Sequence, residues 1–208
     1  MAYFPFFMDI STGEGLIVGG GRVALRKIEK LRPFDAALTV CAPEILPEIE
    51  AMPGLTLLRR PFANCLADGK LFVIAATDDN ELNSHIAALC RGKNIPVNVV
   101  DRREECTFLF PALVKRGELT VGITTSGASP SAAVYWKNRI DELIPSEAGG
   151  MLEYLSALRE TVKTSVPAAR RGMVFASVFD ACMERGWPLP EKTLKELLSQ
   201  SSGAKEER

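Results

Sequence analysis

The sequence predicts an α/β chain that opens with a parallel-sheet domain, continues through a small α+β segment and ends in a helical domain. Three observations lead there. Strand-like and helix-like patterns alternate through residues 1–112, the order that builds a parallel sheet with crossover helices. Lys70-Leu71-Phe72-Val73-Ile74-Ala75-Ala76 is a nearly unbroken apolar run, as a central strand covered on both faces requires. From Met151 onward apolar residues recur only at helical spacing. The boundaries that follow are residues 1–112, 113–146 and 147–208, with Ser146-Glu147-Ala148-Gly149-Gly150 read as a hinge.

The first strand is Gly15-Leu16-Ile17-Val18. A helix over residues 23–31 follows, with Val23, Ile28 and Leu31 as apolar contacts. Pro33 ends it, because proline lacks an amide hydrogen and restricts the residue before it. Leu38-Thr39-Val40-Cys41 is the second strand, a helix over residues 43–51 comes next, and Leu55-Thr56-Leu57-Leu58 is a short third strand. After the central run, residues 81–91 read as a helix and Pro96-Val97-Asn98-Val99-Val100 as another buried strand. Residues 107–114 read as a strand passing into a turn, and Leu119-Thr120-Val121-Gly122-Ile123-Thr124 as a strand. A helix over residues 131–143 is closed by Pro145. Leu152, Leu155, Leu158 and Val162 then form one apolar stripe, and Val174, Val178 and Cys182 a second. Leu194, Leu197 and Leu198 fit a last short helix, and residues 201–208 are a polar tail expected to fray.

Composition narrows the class. The 208 residues hold 25 Lys+Arg against 26 Asp+Glu, so no nucleic-acid partner is expected on electrostatic grounds. A hydrophobic content of 47% is ample for a core. Cys41, Cys65, Cys90, Cys106 and Cys182 are scattered without a C-x-x-C pair, which reads as reduced thiols in a cytoplasmic protein. Residues 1–7 lack a basic start and a long apolar core, so no signal peptide is expected. No apolar run reaches membrane-spanning length, so no membrane partner is expected. His85 is the sole histidine and sits mid-helix with no second histidine to share a metal, so no metal ligands are assigned.

The first strand runs straight into Gly19-Gly20-Gly21-Arg22-Val23-Ala24, a G-x-G-x-x-A string between a strand and a helix. Gly19 permits the tight turn, Gly21 lets a pyrophosphate approach the backbone, and Ala24 lets helix and strand pack closely. The amides of the helix start then face the phosphates. The alternative is an ordinary glycine-rich turn between strand and helix.

Three more segments carry polar groups at carboxyl ends of strands, where ligands of open α/β sheets sit. Ala75-Ala76-Thr77-Asp78-Asp79-Asn80-Glu81 places Thr77 at the cofactor cleft, while Asp78 with Glu81 makes a capping box. Asn98-Val99-Val100-Asp101 ends an apolar strand in a carboxylate, placed to take a proton from a substrate lying against a nicotinamide, or to cap a turn. Thr124-Thr125-Ser126-Gly127-Ala128-Ser129-Pro130 brings hydroxyls and backbone donors to an anionic ligand, or starts a helix with Ser129 as cap and Pro130 at the first position.

Taken together these segments resemble the dehydrogenase module of siroheme synthases, the precorrin-2 dehydrogenase family. The shared signature starts at Tyr3-Phe4-Pro5-Phe6-Phe7 and takes in the glycine loop through Lys27. It continues through Ala75-Ala76-Thr77-Asp78-Asp79, Asn98-Val99-Val100-Asp101, residues 108–111 and residues 124–130. Order and spacing agree over residues 3–145, and the C-terminal helices agree only in general character. The resemblance implies a Rossmann-like NAD domain and oxidation of precorrin-2 to sirohydrochlorin with NAD as hydride acceptor. In several members the same site also inserts ferrous iron (Fe2+) into the tetrapyrrole. It implies a homodimer built through residues 113–146, which makes that α+β segment a dimerisation segment. It also makes Asp101 the acid/base group, and Arg102, Thr125, Ser126 and Ser129 contacts of the substrate. The methyltransferase domain that some members carry is expected to be absent.

The sequence also departs from common dinucleotide sites. An acidic residue often ends the second strand and holds the adenosine ribose. Cys41 stands there, followed by Ala42-Pro43-Glu44, so the ribose is expected on Pro43, Glu44 and backbone groups. Arg22 in the loop would tolerate a 2′-phosphate, and NAD over NADP follows from the resemblance. Thr125 stands where some relatives carry a serine that can be phosphorylated. A substrate with eight carboxylates calls for local positive charge, for which Arg102, Arg103, Lys115, Arg116, Lys137 and Arg139 are the candidates. The competing reading is a non-catalytic nucleotide-sensing module on the same fold.

Overall fold

The computed structural model describes residues 3–199, so the tail expected to fray lies outside the described residues. The chain forms two compact units, Met1–Phe110 and Pro111–Arg208.

In the first unit five short apolar segments pair in parallel: β1 (Glu14–Val18), β2 (Ala37–Cys41), β3 (Leu55–Leu58), β4 (Phe72–Ala75) and β5 (Val97–Val99). Their spatial order is β3-β2-β1-β4-β5, a Rossmann-like arrangement in which the winding reverses between β1 and β4. Val18 at the end of β1 pairs with Cys41 on one side and Ala75 on the other, so the loops after β1, β2 and β4 leave the sheet level with one another. Helices α1 (Arg22–Leu31), α2 (Pro47–Glu50) and α3 (Asn80–Gly92) make the crossovers.

Because successive strand residues point to opposite faces, β1 to β4 each feed two cores, while β5 feeds one. Leu16, Val18, Val73, Ala75, Val97 and Val99 pack with Ile86, Ala87 and Cys90 of α3. Ile17, Val40 and Ile74 pack with Ala24, Ile28 and Leu31 of α1. Leu16, Ile17, Ile28, Ile74 and Ile86 are fully buried, each side chain stabilising by about 1.5–3 kcal/mol.

One expected helix is much shorter than its sequence suggests. Residues 43–51 contain only the single turn of α2, because residues 42–46 are committed elsewhere. The Leu46 N–H donates to the Gly20 carbonyl at 2.9 Å, Ile45 is buried, and Pro47 opens the helix at its first turn. Residues 107–111, expected as a strand, have no regular structure. The Thr107 hydroxyl instead accepts from the Val97 N–H at 2.7 Å, and Phe108 and Phe110 pack on the α1 side of the core.

The second unit opens with an antiparallel hairpin, β6 (Ala112–Arg116) and β7 (Leu119–Ile123). Helices α4 (Pro130–Leu143), α5 (Ala148–Ser165), α6 (Arg171–Arg185) and α7 (Glu191–Ser199) follow. Met151, Val162, Val174, Val178, Cys182 and Leu189 form their core, with Leu155, Leu158, Leu194, Leu197 and Leu198 around it. Met151 thus takes the place in the α5 stripe that spacing gave to Leu152. The segment read as a hinge is a packed helix start. A Cβ on Gly149 would lie 2.9 Å from the Gly117 amide nitrogen, and one on Gly150 would lie 2.5 Å from the Trp187 ring. Close approach, rather than freedom of motion, is what these glycines supply. Among the described residues no helix is long and apolar enough to cross a membrane.

Candidate functional site

At the reversal point the three glycines of the loop meet different surroundings. Gly19 has φ +123°, and a Cβ there would lie 2.2 Å from the Ala76 carbonyl oxygen. Its N–H donates to the Cys41 carbonyl at 2.9 Å, which fixes the loop to β2. A Cβ on Gly20 would lie 2.1 Å from the Glu44 carbonyl oxygen. Around Gly21 nothing lies within 4 Å of an added Cβ. Gly21 caps α1 with extended backbone (φ −91°, ψ −170°), and no side chain accepts from the first-turn amides. The loop therefore closes against protein on two glycines and opens on the third, where uncapped amides and the positive helix end meet. That geometry fits a pyrophosphate. Arg22 is exposed beside it, Val23 is half-buried, and Ala24 is fully buried against the sheet.

Pro43 and Glu44 are exposed, and the Glu44 backbone forms the wall beside Gly20. Cys41 is buried, its thiol donates to the Arg60 carbonyl at 3.3 Å, and burial pushes the thiol up from its ordinary value. The Cys41 side chain therefore points into protein.

At the end of β4, Thr77 is tied to Asn83. Its hydroxyl donates to Asn83 Oδ1 at 2.8 Å, and Asn83 Nδ2 donates to the Thr77 carbonyl at 2.9 Å. The cap of α3 is Asp79 rather than the expected Asp78. Asp79 Oδ1 accepts from the Glu81 and Leu82 amides at 2.9 and 3.0 Å, leaving Asp78 exposed. The one-residue shift follows from Thr77, which holds the Asp79 N–H at 3.2 Å and turns Asp79 into the capping position.

Asp101 follows β5 by two residues, is exposed, and has left-handed backbone with φ 60°. Asp and Asn tolerate this region better than other side chains. The Val100 N–H donates to the Ala75 carbonyl at 3.0 Å, so the Asp101 turn is fixed to the end of β4, the strand that flanks the glycine loop. Arg102 reaches Ser84 Oγ at 3.1 Å and Glu105 Oε1 at 3.0 Å, which orients its guanidinium toward α3. Arg103 lies over the Tyr3 ring at 5.4 Å.

In the second unit Ser126 and Gly127 are left-handed, at φ 53° and 80°. The Thr125 hydroxyl accepts from the Ser129 N–H at 3.2 Å and donates to the Ser129 carbonyl at 2.9 Å. Ser129 Oγ caps α4 by accepting from the Ala132 N–H at 3.2 Å. The basic residues expected to gather are divided between the units and engaged locally. Arg116 and Lys137 both reach Asp141, at 2.5 and 2.8 Å, and Arg139 reaches Glu142 at 3.3 Å. His85 is exposed with Nε2 2.8 Å from Asn64 Oδ1. Among the described residues no group of three His, Cys, Asp or Glu gathers to hold a metal ion.

One residue that the sequence reading passed over stands out. Lys27 of α1 is half-buried, and its Nζ donates to Asn98 Oδ1 at 3.2 Å and lies 4.0 Å from the Phe110 ring centre. Burial pushes its ammonium down to about 8, helped by the like charges of Lys30 and Arg26 and opposed by Cys106 and Asp101. The signal was in the spacing. Lys27 falls inside the Ala24, Ile28, Leu31 stripe, where an apolar residue is the rule.

Residues 6–112 match the family model described as "Putative NAD(P)-binding". The chain belongs to this NAD(P)-binding family. Beyond it, the chain is 39% identical over 170 residues to a siroheme synthase of Thioalkalivibrio sulfidiphilus, which takes in 80% of this chain and 35% of that protein. It is 31% identical over 211 residues to a siroheme synthase of Zymomonas mobilis, covering 97% of this chain and 45% of that one. The chain thus spans less than half the length of these curated relatives. A solved structure titled SirC, precorrin-2 dehydrogenase, shares the fold with a TM-score of 0.70 at 24% identity, over 96% of this chain and 99% of that one.

Proposed function

We propose that this chain catalyses the NAD-dependent oxidation of precorrin-2 to sirohydrochlorin. The observation that carries the reading is the placement, at the carboxyl ends of β1 and β5 on either side of β4, of a glycine loop open at Gly21 and the exposed carboxylate of Asp101. The names borne by the siroheme synthase relatives supply the substrate class. NAD, when bound, supplies the acceptor for a hydride. Gly19, Gly20, Gly21, Arg22 and Val23 would hold its pyrophosphate, with Pro43, Glu44 and Thr77 along the same edge. Asp101 takes the proton that leaves the macrocycle as the hydride departs, so the substrate loses two hydrogens in all. Arg102, Thr125, Ser126 and Ser129 are assigned to substrate contact by the resemblance.

The same reading extends to ferrous iron as a second substrate. The four pyrrole nitrogens are the ligands, two N–H protons leave one after the other, and Asp101 accepts each in turn and passes it to solvent. A homodimer through residues 113–146 and a cytoplasmic location complete the proposal. The cytoplasm suits five cysteines that are all free.

The test is reduction of NAD on adding precorrin-2 to the full chain. Asp101→Asn is the informative variant, because Asn accepts the left-handed backbone while lacking the charge. The expected outcome is NAD binding within twofold of the parent and turnover lower by at least ~10²-fold. NAD binding by the parent without turnover would overturn the reading and leave a nucleotide-sensing module. Siroheme formation from sirohydrochlorin and ferrous iron, above the spontaneous rate, tests the second step.

A further inference from the structure

The Lys27 side chain leaves α1 among its buried stripe and ends between two other parts of the first unit. Its Nζ donates to Asn98 Oδ1 at 3.2 Å and sits 4.0 Å from the Phe110 ring centre. Asn98 is itself 5% exposed at the middle of β5, and its Nδ2 donates to the Phe108 carbonyl at 3.0 Å. Helix, strand and the irregular segment after Thr107 are therefore joined through one ammonium and one amide. Three residues beyond Asn98 the backbone turns through left-handed Asp101.

An ammonium in this position is costly, since burial removes water and gives back one amide oxygen and one ring face. A Leu or Met would fill the same space without that cost. Packing alone does not account for the charge.

We propose that Lys27 is a positioning residue for the dehydrogenation, tying α1 to the strand end that carries Asp101 and standing as the positive charge within electrostatic reach of that carboxylate. The proposal rests on the function proposed above and names a residue that reading does not use. The groups that act on Lys27 are Arg26 and Lys30 of its own helix, Asp101 after β5, and Cys106 on the segment that follows. Lys30 and Arg26 favour loss of its proton, while Asp101 and Cys106 favour keeping it. With burial the largest cause, the ammonium is pushed down to about 8, so its charge disappears as pH rises through that value. Turnover that needs this charge falls over the same range.

Two readouts on the full chain test this. In the first, the side-chain carbons of labelled lysines are followed by NMR as pH is raised. One lysine signal, assigned by its loss in Lys27→Arg, titrates near pH 8, and its midpoint drops in Asp101→Asn because the carboxylate that favours the proton is gone. A Lys27 midpoint near the ordinary lysine value of about 10.4, or one indifferent to Asp101→Asn, overturns the proposal. In the second, kcat is measured against pH. The parent loses rate above about pH 8, and Lys27→Arg keeps its rate there because a guanidinium stays charged. Lys27→Met loses at least ~10-fold in kcat below about pH 8, converges on the parent above it, and keeps KM for NAD within twofold. An unchanged profile in Lys27→Met, or the parent's alkaline fall retained in Lys27→Arg, overturns it. Should Lys27→Met fail to fold, Lys27→Arg and the NMR titration decide. Should the parent not oxidise precorrin-2, the proposed function fails, while the titration still reads the Lys27–Asp101 pair.

Discussion

Gly20 and Gly21 are chain neighbours with opposite demands, and that contrast separates folding from binding. A side chain on Gly20 runs into the Glu44 and Ile45 backbone, at 2.1 and 2.8 Å. Gly20→Ala is expected to destabilise the chain by about 1–3 kcal/mol in denaturant titration, because backbone cannot step aside as a side-chain tip can. Gly21 has open space and ordinary φ, and Asp is a favoured helix cap. Gly21→Asp should therefore leave stability within about 0.5 kcal/mol of the parent while NAD affinity falls at least tenfold through crowding and repulsion of the pyrophosphate. Unchanged NAD affinity in Gly21→Asp would refute the placement of the cofactor. The cysteines give a second test at this scale. Cys41, Cys90, Cys106 and Cys182 are buried and Cys65 is exposed. Burial raises all four buried thiols, Cys90 to about 11, so they carry little thiolate at neutral pH. A thiol reagent should find one fast site in the native chain and five after unfolding; two or more fast sites would contradict the packing described.

At the scale of elements, strands were the most legible part, because their signal is local and redundant. β3 lies where its Leu-Thr-Leu-Leu run placed it, and β1, β2 and β7 differ by one residue at an end. The misreadings came where a long-range bond competes with local propensity. Residues 43–46 have helix-like spacing, yet the Leu46 N–H is taken by Gly20, so the segment bends irregularly beside the loop and only α2 coils. The glycines after Ala148 look flexible in sequence and are instead contact points for Gly117 and Trp187. In the candidate site, the glycine loop and Asp101 were readable because residue type and strand context coincide. Lys27 was not read, since its partners Asn98 and Phe110 are distant in sequence. β1 also carries a pH-dependent contact. The Glu14 carboxylate accepts from the Lys70 ammonium and the Thr39 hydroxyl, and the Lys70 bond is the larger cause holding it below the usual carboxylate range. A depressed carboxyl stabilises the fold above its unfolded value and loses that contribution as pH falls through the folded one. Glu14→Gln should then show less loss of stability than the parent between pH ~5 and ~3, measured by thermal unfolding at each pH. An identical acid loss in both would show that Glu14 contributes nothing to it.

For the molecule as a whole, the second unit raises the question of what completes it. α4 is fourteen residues long and none of them is buried, although the helix packs on β6. Val134, Tyr135 and Trp136 are more than half exposed in succession, with Leu143 80% exposed at the other end. Clustered aromatic exposure of this kind is a property of interfaces, whereas scattered apolar residues are ordinary surface. The proposed dimer through residues 113–146 offers these side chains a second copy of themselves, and a twofold interface presents one patch twice. A stable interface needs about 800 Å² from each partner, an area that a fourteen-residue helix and the hairpin before it can furnish. Sedimentation of the full chain should therefore give twice its 22.7 kDa. Trp136→Glu with Tyr135→Glu should halve that mass without lowering the helical signal, since neither side chain lies in the α5–α7 core. A parent that sediments as a monomer would remove the dimer from the proposal. A double variant that stays dimeric would move the interface off this face of α4.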